Sequence, residues 1–213
     1  MVFEYKDVKL EWLGHDCFRI EYKGLKLLID PFRIKEQEAD LVLITHDHFD
    51  HCSNDDLKKI KGDFEIIAPH ACKSLLGKFK TTFVKPGDVI EKKGIRIKTV
   101  PAYNINKFRE PGKVFHPKEA GYVGFIITLG ELSIYHAGDT DFIPEMKDVK
   151  ADIALLPVSG TYVMTVEEAI EAANYIKPKV AIPMHYGSIV GSIKDAQKFK
   201  ENIKNSVLVD LSQ

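Results

Sequence analysis

The stretch from Thr45 to His51 constrains this chain more than any other, because it places three histidines and two aspartates within seven residues. An apolar run at 41–44 precedes it, and Ser53 follows with acidic residues behind, as at the start of a helix. We therefore predict that the stretch joins a buried strand to a helix that runs to about Gly62. Such a junction can direct several side chains to one place while the backbone on both sides stays anchored.

The residue types in this stretch indicate a metal site. His46 and His48 are two positions apart, so an extended backbone points both rings to the same side. Asp50 and His51 come after the chain turns and can approach from another side. Imidazole and carboxylate ligands, with no thiolate required, suit zinc and also manganese, iron or nickel. The alternative is a polar surface loop with incidental histidines, which does not account for so many donors at a strand end.

The pattern His46-x-His48-x-Asp50-His51 resembles the signature of the metallo-β-lactamase-fold hydrolases. Further landmarks of that family match in chain order, and together they span nearly the whole sequence. They are Trp12-Leu13-Gly14-His15, Ile29-Asp30-Pro31, Pro101-Ala102-Tyr103-Asn104, Ala137-Gly138-Asp139-Thr140 and Pro183-Met184-His185-Tyr186-Gly187. Within that family, the chain resembles the small single-domain group that includes the ascorbate-6-phosphate lactonase-like proteins.

The resemblance implies an α/β fold, a four-layer αββα sandwich of two mixed sheets with helices outside. It also implies one hydrolase domain over residues 1–213, a length that supports one substantial core. The predicted elements agree, because an early meander of strands is followed by strands that alternate with helices. A parallel doubly wound sheet fits less well, since the early strands have no crossover helices.

The resemblance further implies how the donors share their metals. His46 and His48 would bind a first ion, Asp50, His51 and His185 a second, and Asp139 would bridge the two. The ions, one or two zinc with manganese, iron or nickel as alternatives, would make hydroxide available at neutral pH. Asp50 would orient that hydroxide and later pass a proton to the leaving group.

Two residues beside this ligand set support it in the family pattern. His15 follows Gly14 at a turn, and it is either a turn histidine bonded to the backbone or a catalytic residue at the edge of the site, one that orders the metal loop or contacts substrate. Asp30 either caps a turn or supports the metal loop from behind.

One position departs from the family pattern. The family usually has a third histidine for the first metal in the Pro-Ala-x-His region, and this chain has Asn104 there. Three outcomes are open: Asn104 ligates weakly, His116 on the following segment swings in as a substitute, or the first site is weak and one firm metal remains. The expectation from sequence is weakened affinity at the first site.

The segment 103–120 is predicted to be an irregular lid or wall over the site, because a loop this long in a compact domain is usually functional. Its cations favour an anionic substrate, such as a phosphate or carboxylate ester or a lactone. They are Lys107, Arg109, Lys113 and Lys118. Arg109 and Lys113 are candidate substrate contacts, as is Tyr186 beside the late histidine.

The favoured function is a metal-dependent hydrolase of an ester, lactone or phosphodiester. A nuclease of the same fold is disfavoured, because the net charge is -1 and no basic domain or arm is visible. An iron oxidoreductase is also disfavoured, because His48 stands where that type has glutamate. A degenerate protein that binds or senses metal without turnover is kept open by Asn104.

The remaining sequence features concern location and partners. The cysteines, Cys17, Cys52 and Cys72, are odd in number and fit no zinc-ribbon spacing, which suggests a reducing cytoplasm. The charged start lacks the apolar core of a signal peptide, and no apolar run has the length of a membrane span. We expect a small-molecule substrate and no membrane or nucleic-acid partner, and oligomerisation stays open.

Overall fold

The structure is a computed structural model that describes residues 2–207. The chain divides into two compact units, one up to Lys85 and the other from Pro86 onward. Each unit is built on its own mixed sheet. The prediction of one domain over residues 1–213 stays a prediction.

The first unit holds nine strands in its described part. They are β1 (Val2–Tyr5), β2 (Val8–Gly14), β3 (Cys17–Tyr22), β4 (Leu25–Ile29), β5 (Gln37–Glu38), β6 (Leu41–Leu43), β7 (Ile60–Lys61), β8 (Glu65–Pro69) and β9 (Thr81–Val84). A seven-stranded sheet has the order β1-β2-β3-β4-β6-β8-β9, and β5 pairs with β7 alone. β1 to β4 form an antiparallel meander, whereas β4, β6, β8 and β9 run parallel. The predicted meander is therefore present, and β1 was not predicted.

The helix after the metal loop is shorter than predicted. Ser53 caps it as expected, with its side chain accepting the N–H of Asp56 at 3.2 Å, but α1 (Asn54–Leu57) has only four residues. The predicted end at Gly62 is wrong, because Ile60 leaves the helix to pair with Gln37 in the β5–β7 sheet. Strand pairing here overrides local helix propensity. The next helical segment is a 3-10 turn followed by α2 (Lys73–Leu76).

The second unit holds eight strands in its described part. They are β10 (Val89–Lys92), β11 (Ile95–Pro101), β12 (Phe108–Glu110), β13 (Lys113–Val114), β14 (Val123–Leu129), β15 (Leu132–His136), β16 (Ile153–Pro157) and β17 (Val180–Met184). A six-stranded sheet has the order β10-β11-β14-β15-β16-β17. β10, β11, β14 and β15 are antiparallel neighbours, whereas β15, β16 and β17 run parallel. β14 and β15 form a hairpin.

Two longer helices belong to the second unit, α3 (Val166–Ile176) and α4 (Ile193–Asn202). Thr165 caps α3 in a capping box with Glu168, because each side chain bonds the backbone N–H of the other residue. Val207 donates its N–H to the carbonyl of Ala181 at 2.9 Å. The apolar run Val207-Leu208-Val209 predicts a last strand, and its residues after Val207 lie outside the described residues.

The segment 103–120 is less irregular than predicted. β12 and β13 form a short antiparallel hairpin within it, and a 3-10 turn spans Lys118–Ala120. Asn104 and His116 close the segment, since the N–H of Asn104 donates to the carbonyl of His116 at 2.8 Å. The segment is therefore a hydrogen-bonded loop with a hairpin at its tip.

The helices of residues 2–207 include none that is both long enough and apolar enough to cross a membrane.

Candidate metal centre

Five donors of the predicted site lie at one rim of the seven-stranded sheet, and we call them the first cluster. They are His15, His46, His48, Asp50 and His51. Ile29 pairs with both Phe18 and Leu43. The β2–β3 turn, the residue after β4 and the loop after β6 therefore all lie at the same end of the sheet. Strand pairing alone thus brings His15 and the metal loop, 45–51, together.

The rings of the metal loop face one another closely. Nε2 of His46 lies 3.1 Å from Nδ1 of His48, and the ring centroids of His46 and His51 are 4.0 Å apart. Neighbouring ligand atoms in a tetrahedral zinc site, with bonds of about 2.0–2.1 Å, are separated by about 3.3 Å. The nitrogen pair therefore fits a hydrogen bond between two neutral rings, and it also fits two ligands of one ion.

Two residues behind the loop fix where the ring protons lie. Thr45 donates its hydroxyl to Asp30 Oδ2 at 2.6 Å, so it can only accept from Nδ1 of His46, which is 2.9 Å away. The same carboxylate accepts from Nδ1 of His51 at 2.8 Å. Nε2 of both rings consequently keeps a lone pair, the form that binds a metal. Asp30 thus supports the metal loop from behind, as the family resemblance implied.

His15 contacts the metal loop with its ring. Nε2 of His15 lies 3.1 Å from Oδ2 of Asp50, and the imidazole is buried. Its backbone carbonyl accepts from the indole N–H of Trp12 at 2.8 Å, which anchors the turn. The φ of His15 is 53°, a left-handed value that costs a non-glycine residue energy. This geometry fits a His15 that orders the metal loop through Asp50.

The second cluster lies at one rim of the six-stranded sheet and consists of His116, Asp139 and His185. Nε2 of His116 is 3.4 Å, and Nε2 of His185 is 3.3 Å, from the same oxygen, Oδ2 of Asp139. β15 and β17 both run parallel to β16, so the residues after their carboxyl ends meet at this rim. All three side chains are buried.

The ring protons of the second cluster are also fixed from behind. Ser159 donates its hydroxyl to the carbonyl of Thr161 at 3.1 Å and therefore accepts from Nδ1 of His185 at 2.9 Å. Nδ1 of His116 lies 2.9 Å from the amide oxygen of Asn104. In the neutral ring each Nε2 then directs a lone pair toward Oδ2 of Asp139. Two imidazole nitrogens and a carboxylate oxygen at this spacing fit a bound metal ion.

The turn that carries Asp139 is held by His136, which is not one of the proposed metal ligands. His136 is fully buried, and its Nδ1 accepts the N–H of Gly138 at 3.2 Å. Gly138 has a φ of 64°, the left-handed region that glycine occupies without cost. The bond and the glycine together set the direction of the chain at Asp139.

The cations of the 103–120 segment mostly face carboxylates of the protein itself. Lys113 bridges Glu110 at 2.9 Å on the hairpin. Lys107 bridges Glu168 on α3 at 2.8 Å. Arg109 is exposed on β12. The positive bias expected from the sequence is therefore reduced at these lysines.

Lys118 is engaged in the same way at the other end of the segment. Its Nζ lies 2.8 Å from Oε1 of Glu145, and 4.7 Å from the ring centre of Tyr103. The hydrogen bond to Glu145 raises the pKa of Lys118. Burial alone would raise the pKa of Glu145, but the bonds from Lys118 and Tyr103 hold it below the usual value.

Sequence reasoning missed several residues of these rims. Asp16 is buried directly after His15, and it offers a ligand atom within 4.8 Å of those of Asp30 and His51. Asp141 accepts the backbone N–H groups that follow Asn104, at 2.6 and 2.8 Å. Both had the same sequence signal, because Asp16 directly follows the landmark that ends at His15 and Asp141 directly follows the one that ends at Thr140.

Cys52 belongs to the core rather than to the ligand set. It is buried within an apolar cluster of the first unit that also contains Cys17 and Cys72. A bond from Cys52, together with burial, raises the pKa of the Cys72 thiol, and burial raises that of Cys17. A raised pKa disfavours the thiolate form of Cys17 and Cys72, which is the form that binds zinc. Tyr186 is buried next to His185.

Known proteins resemble this chain over nearly its whole length. The profile of the beta-lactamase superfamily domain matches residues 9–185. A UPF0173 metal-dependent hydrolase of Thermoplasma acidophilum is 36% identical, with 92% of this chain and 90% of the relative covered. A crystal structure from Parabacteroides distasonis, of a protein named as a metal-dependent hydrolase, has a TM-score of 0.84 at 33% identity and covers 100% of this chain and 98% of its own.

A third similarity concerns the fold alone. A zinc-dependent hydrolase of the metallo-beta-lactamase superfamily from Thermotoga maritima has a TM-score of 0.63 at 24% identity, over 93% of this chain and 87% of its own. The predicted fold class, an α/β sandwich of the metallo-β-lactamase type, is confirmed by these matches, and so is the prediction of a metal-dependent hydrolase. The chain belongs to the beta-lactamase superfamily and, within it, to the UPF0173 metal-dependent hydrolases.

Proposed function

We propose that this hydrolase acts on an ester, a lactone or a phosphodiester, and that its metal ligands are those predicted from the sequence. They are His46, His48, Asp50, His51, Asp139 and His185. The observation that carries the proposal is the placement of the ring protons. In His46, His51 and His185, an acceptor behind the ring holds the proton on Nδ1 and leaves the lone pair of Nε2 for an ion.

The proposed cofactor is zinc, as one or two ions, with manganese, iron or nickel as alternatives. Donor atoms 3.1 to 3.4 Å apart support this choice, because they match the ligand spacing of a tetrahedral site of imidazole and carboxylate groups. A divalent ion, when bound, lowers the pKa of water and polarises the carbonyl or phosphoryl group under attack.

Asp50 is the proposed general base and acid of the reaction. Its carboxylate accepts a proton from the attacking water and returns it to the oxygen of the leaving group. His15 positions Asp50 through the 3.1 Å contact between Nε2 and Oδ2. Because His15 is buried and its turn is anchored by Trp12, the carboxylate is held in one orientation.

We propose an anionic small-molecule substrate. Arg109 is exposed, and its planar guanidinium suits carboxylate and phosphate groups. The bridge between Lys113 and Glu110 joins two side chains that are 69% and 55% exposed, so it is weak and Lys113 can exchange its partner for a substrate anion. Tyr186, adjacent to His185, is the third proposed contact.

We propose that the chain acts in the cytoplasm as one domain. Its three cysteines are all buried and free of disulfides, as is usual for proteins of a reducing compartment. The family match from residue 9 to 185 runs through both compact units, which supports a single functional domain.

The proposal is tested by hydrolysis of generic carboxylic esters, lactones and bis-phosphodiesters with the zinc- or manganese-loaded chain. We expect turnover in at least one substrate class, and a decrease of about 10²- to 10⁴-fold in kcat for Asp50→Asn. Asp55→Asn is the matched control, because Asp55 is exposed on α1 and pairs with Lys58 at 2.9 Å; it should retain wild-type turnover. Metal content is measured in parallel. A fully loaded chain without turnover on all three classes would favour the alternative of a metal-binding protein.

A further inference from the structure

We propose that His116, and not Asn104, is the metal ligand contributed by the 103–120 segment, and that Asn104 is the residue that positions it. This inference rests on the proposed metal centre. It assigns the ligand at the position where the sequence departs from the family pattern, and it replaces the weakened first site expected from the sequence.

The hydrogen-bonding capacity of Asn104 is already committed. Its amide nitrogen donates to Oδ1 of Asp141 at 3.1 Å and to the carbonyl of Tyr162 at 2.8 Å. Both partners can only accept, which identifies the nitrogen and hence the oxygen of the amide. That oxygen, Oδ1, receives the backbone N–H of His116 at 2.9 Å and lies 2.9 Å from its Nδ1. A metal would have to displace two of these donors to reach it.

The same contacts prepare His116 to bind an ion. An amide oxygen can only accept, so Nδ1 of His116 carries the ring proton and Nε2 carries the lone pair. Nε2 lies 3.4 Å from Oδ2 of Asp139, and Nε2 of His185 lies 3.3 Å from the same oxygen. Two imidazole nitrogens therefore lie at the ligand spacing of a zinc site from one carboxylate oxygen.

His116 occupies this position without any movement of the segment. Its side chain is 1% exposed and packs edge-on against the ring of Tyr122, with centroids 6.0 Å apart. The backbone of residue 116 is held by bonds in both directions with Asn104, at 2.8 and 2.9 Å. The sequence had suggested a ring that swings in from a lid, whereas the structure holds it fixed.

Asp141 extends the support by one more layer. It accepts from the amide of Asn104 and from the backbone N–H groups of Ile105 and Asn106, at 2.6 and 2.8 Å. Asp141 follows Asp139 by two residues, so one short stretch supplies both the ligand Asp139 and the carboxylate that holds Asn104. Asn104 in turn orients His116. Carboxylate partners of this kind orient the ligands of metal sites.

The test measures bound zinc per chain by plasma mass spectrometry, at saturating zinc, for the wild type, His116→Ala and Asn104→Ala. We expect His116→Ala to lose one equivalent and Asn104→Ala to retain the wild-type stoichiometry with an affinity about 10- to 100-fold weaker. His70→Ala is the control, because His70 is an exposed histidine in a 3-10 turn of the first unit, and it should bind as the wild type does.

Two further measurements guard against a folding artefact. His116→Phe keeps a ring of similar volume but has no nitrogen, so it should lose the same equivalent while retaining the circular dichroism of the wild type. In the cobalt-substituted proteins, the visible absorption bands should change in His116→Phe and stay as in the wild type in Asn104→Ala.

Each outcome separates the inference from the proposed function. A wild type that binds no metal would overturn both. Wild-type stoichiometry in both His116 variants would overturn this inference and leave the metal centre in place. Loss of one zinc equivalent in Asn104→Ala at saturating zinc would also overturn this inference. A positioning residue changes the affinity for zinc and not the number of zinc ions bound per chain.

Discussion

At the scale of single residues, the site depends on side chains that touch no ion. Asp30 is fully buried and accepts from the backbone N–H of Thr45 at 2.8 Å, from its hydroxyl at 2.6 Å and from Nδ1 of His51 at 2.8 Å. These bonds hold the ligand rings in the tautomer that leaves Nε2 unprotonated. The residue behind each ring therefore determines whether the ring can bind a metal.

The substitution Asp30→Asn tests this dependence. Asparagine keeps the shape of the side chain, but it replaces one acceptor oxygen with an amide NH2 group. That group can only donate, so it would face another hydrogen-bond donor. We expect zinc affinity, measured by competition with a chromophoric chelator, to fall about 10- to 100-fold, and the free energy of unfolding without metal to fall by about 1–3 kcal/mol.

Asp40→Asn provides the matched control for Asp30→Asn. Asp40 also accepts a backbone N–H, that of Lys26 at 2.8 Å, but it lies at the opposite ends of β4 and β6 from the metal loop. It should lose stability without losing zinc affinity. Equal zinc affinity in Asp30→Asn and the wild type would contradict the role given to Asp30.

The ligand residues were readable from the sequence and their supporting residues were not, for a physical reason. His46, His48 and His51 lie close in sequence, so local backbone geometry relates them. The partners of the rings come from distant positions: Asp30 is 21 residues from His51, and Ser159 is 26 from His185. Those pairs exist only once strands have paired, and spacing along the chain carries no sign of them.

At the scale of elements, the sequence predicted most strands but erred where pairing competes with local propensity. The alternation in β2, β3 and β11 was clear because each has one buried face. α1 was predicted too long because nothing local reveals that Ile60 is needed by the β5–β7 pair. The tie between the 103–120 segment and α3 was also invisible, because it joins residues about sixty positions apart.

That tie gives a prediction for acid stability. Glu168 accepts from the amide of Asn106 at 2.7 Å and from Lys107 at 2.8 Å, and it completes the cap of α3. Burial alone would raise its pKa, but these bonds hold the pKa below the usual value of 4.5. A lowered pKa in the folded state stabilises the protein above the unfolded value. This contribution is lost as the pH falls through 4.5 toward the folded pKa.

We therefore expect Glu168→Gln to reduce the free energy of unfolding by about 1 kcal/mol at pH 7, and to flatten its decrease as the pH falls below about 5. Urea unfolding at several pH values measures both effects. Glu171→Gln, an exposed position on the same helix, should leave the wild-type profile unchanged. Parallel profiles for Glu168→Gln and the wild type would show that the tie does not titrate.

At the scale of the whole molecule, the family could be predicted from sequence because its landmarks recur in order from Trp12 to Gly187. The substrate could not be predicted, because the sequence does not show which carboxylates pair with the cations in the fold. Lys107, Lys113 and Lys118 are a positive patch when counted along the chain, whereas each has a carboxylate beside it in the structure. The charge that a substrate meets near such a site therefore depends on which carboxylates lie beside these lysines in the folded protein.

The last prediction concerns the coupling of metal binding to folding. The unfolded chain has no preformed site, so an ion that binds only the folded state stabilises it by mass action, by about 2.7 kcal/mol when free metal is 100 times its Kd. For a chain of this length, 1 kcal/mol shifts Tm by about 2–4 °C. Zinc should therefore raise Tm by roughly 5 to 11 °C over the chelator-treated chain in calorimetry.

Two controls test whether the increase in Tm comes from zinc bound at the proposed ligands. Magnesium prefers oxygen ligands and should produce little change, because the first cluster has four imidazoles and one carboxylate. The double variant His46→Ala/His48→Ala should lose most of the zinc response while its chelated form unfolds near the chelated wild type. Coincident Tm values for the zinc-treated and chelated wild type would mean that the closely facing donors at both sheet rims are held by hydrogen bonds and protons alone, and the lone-pair argument for a cation would then be wrong.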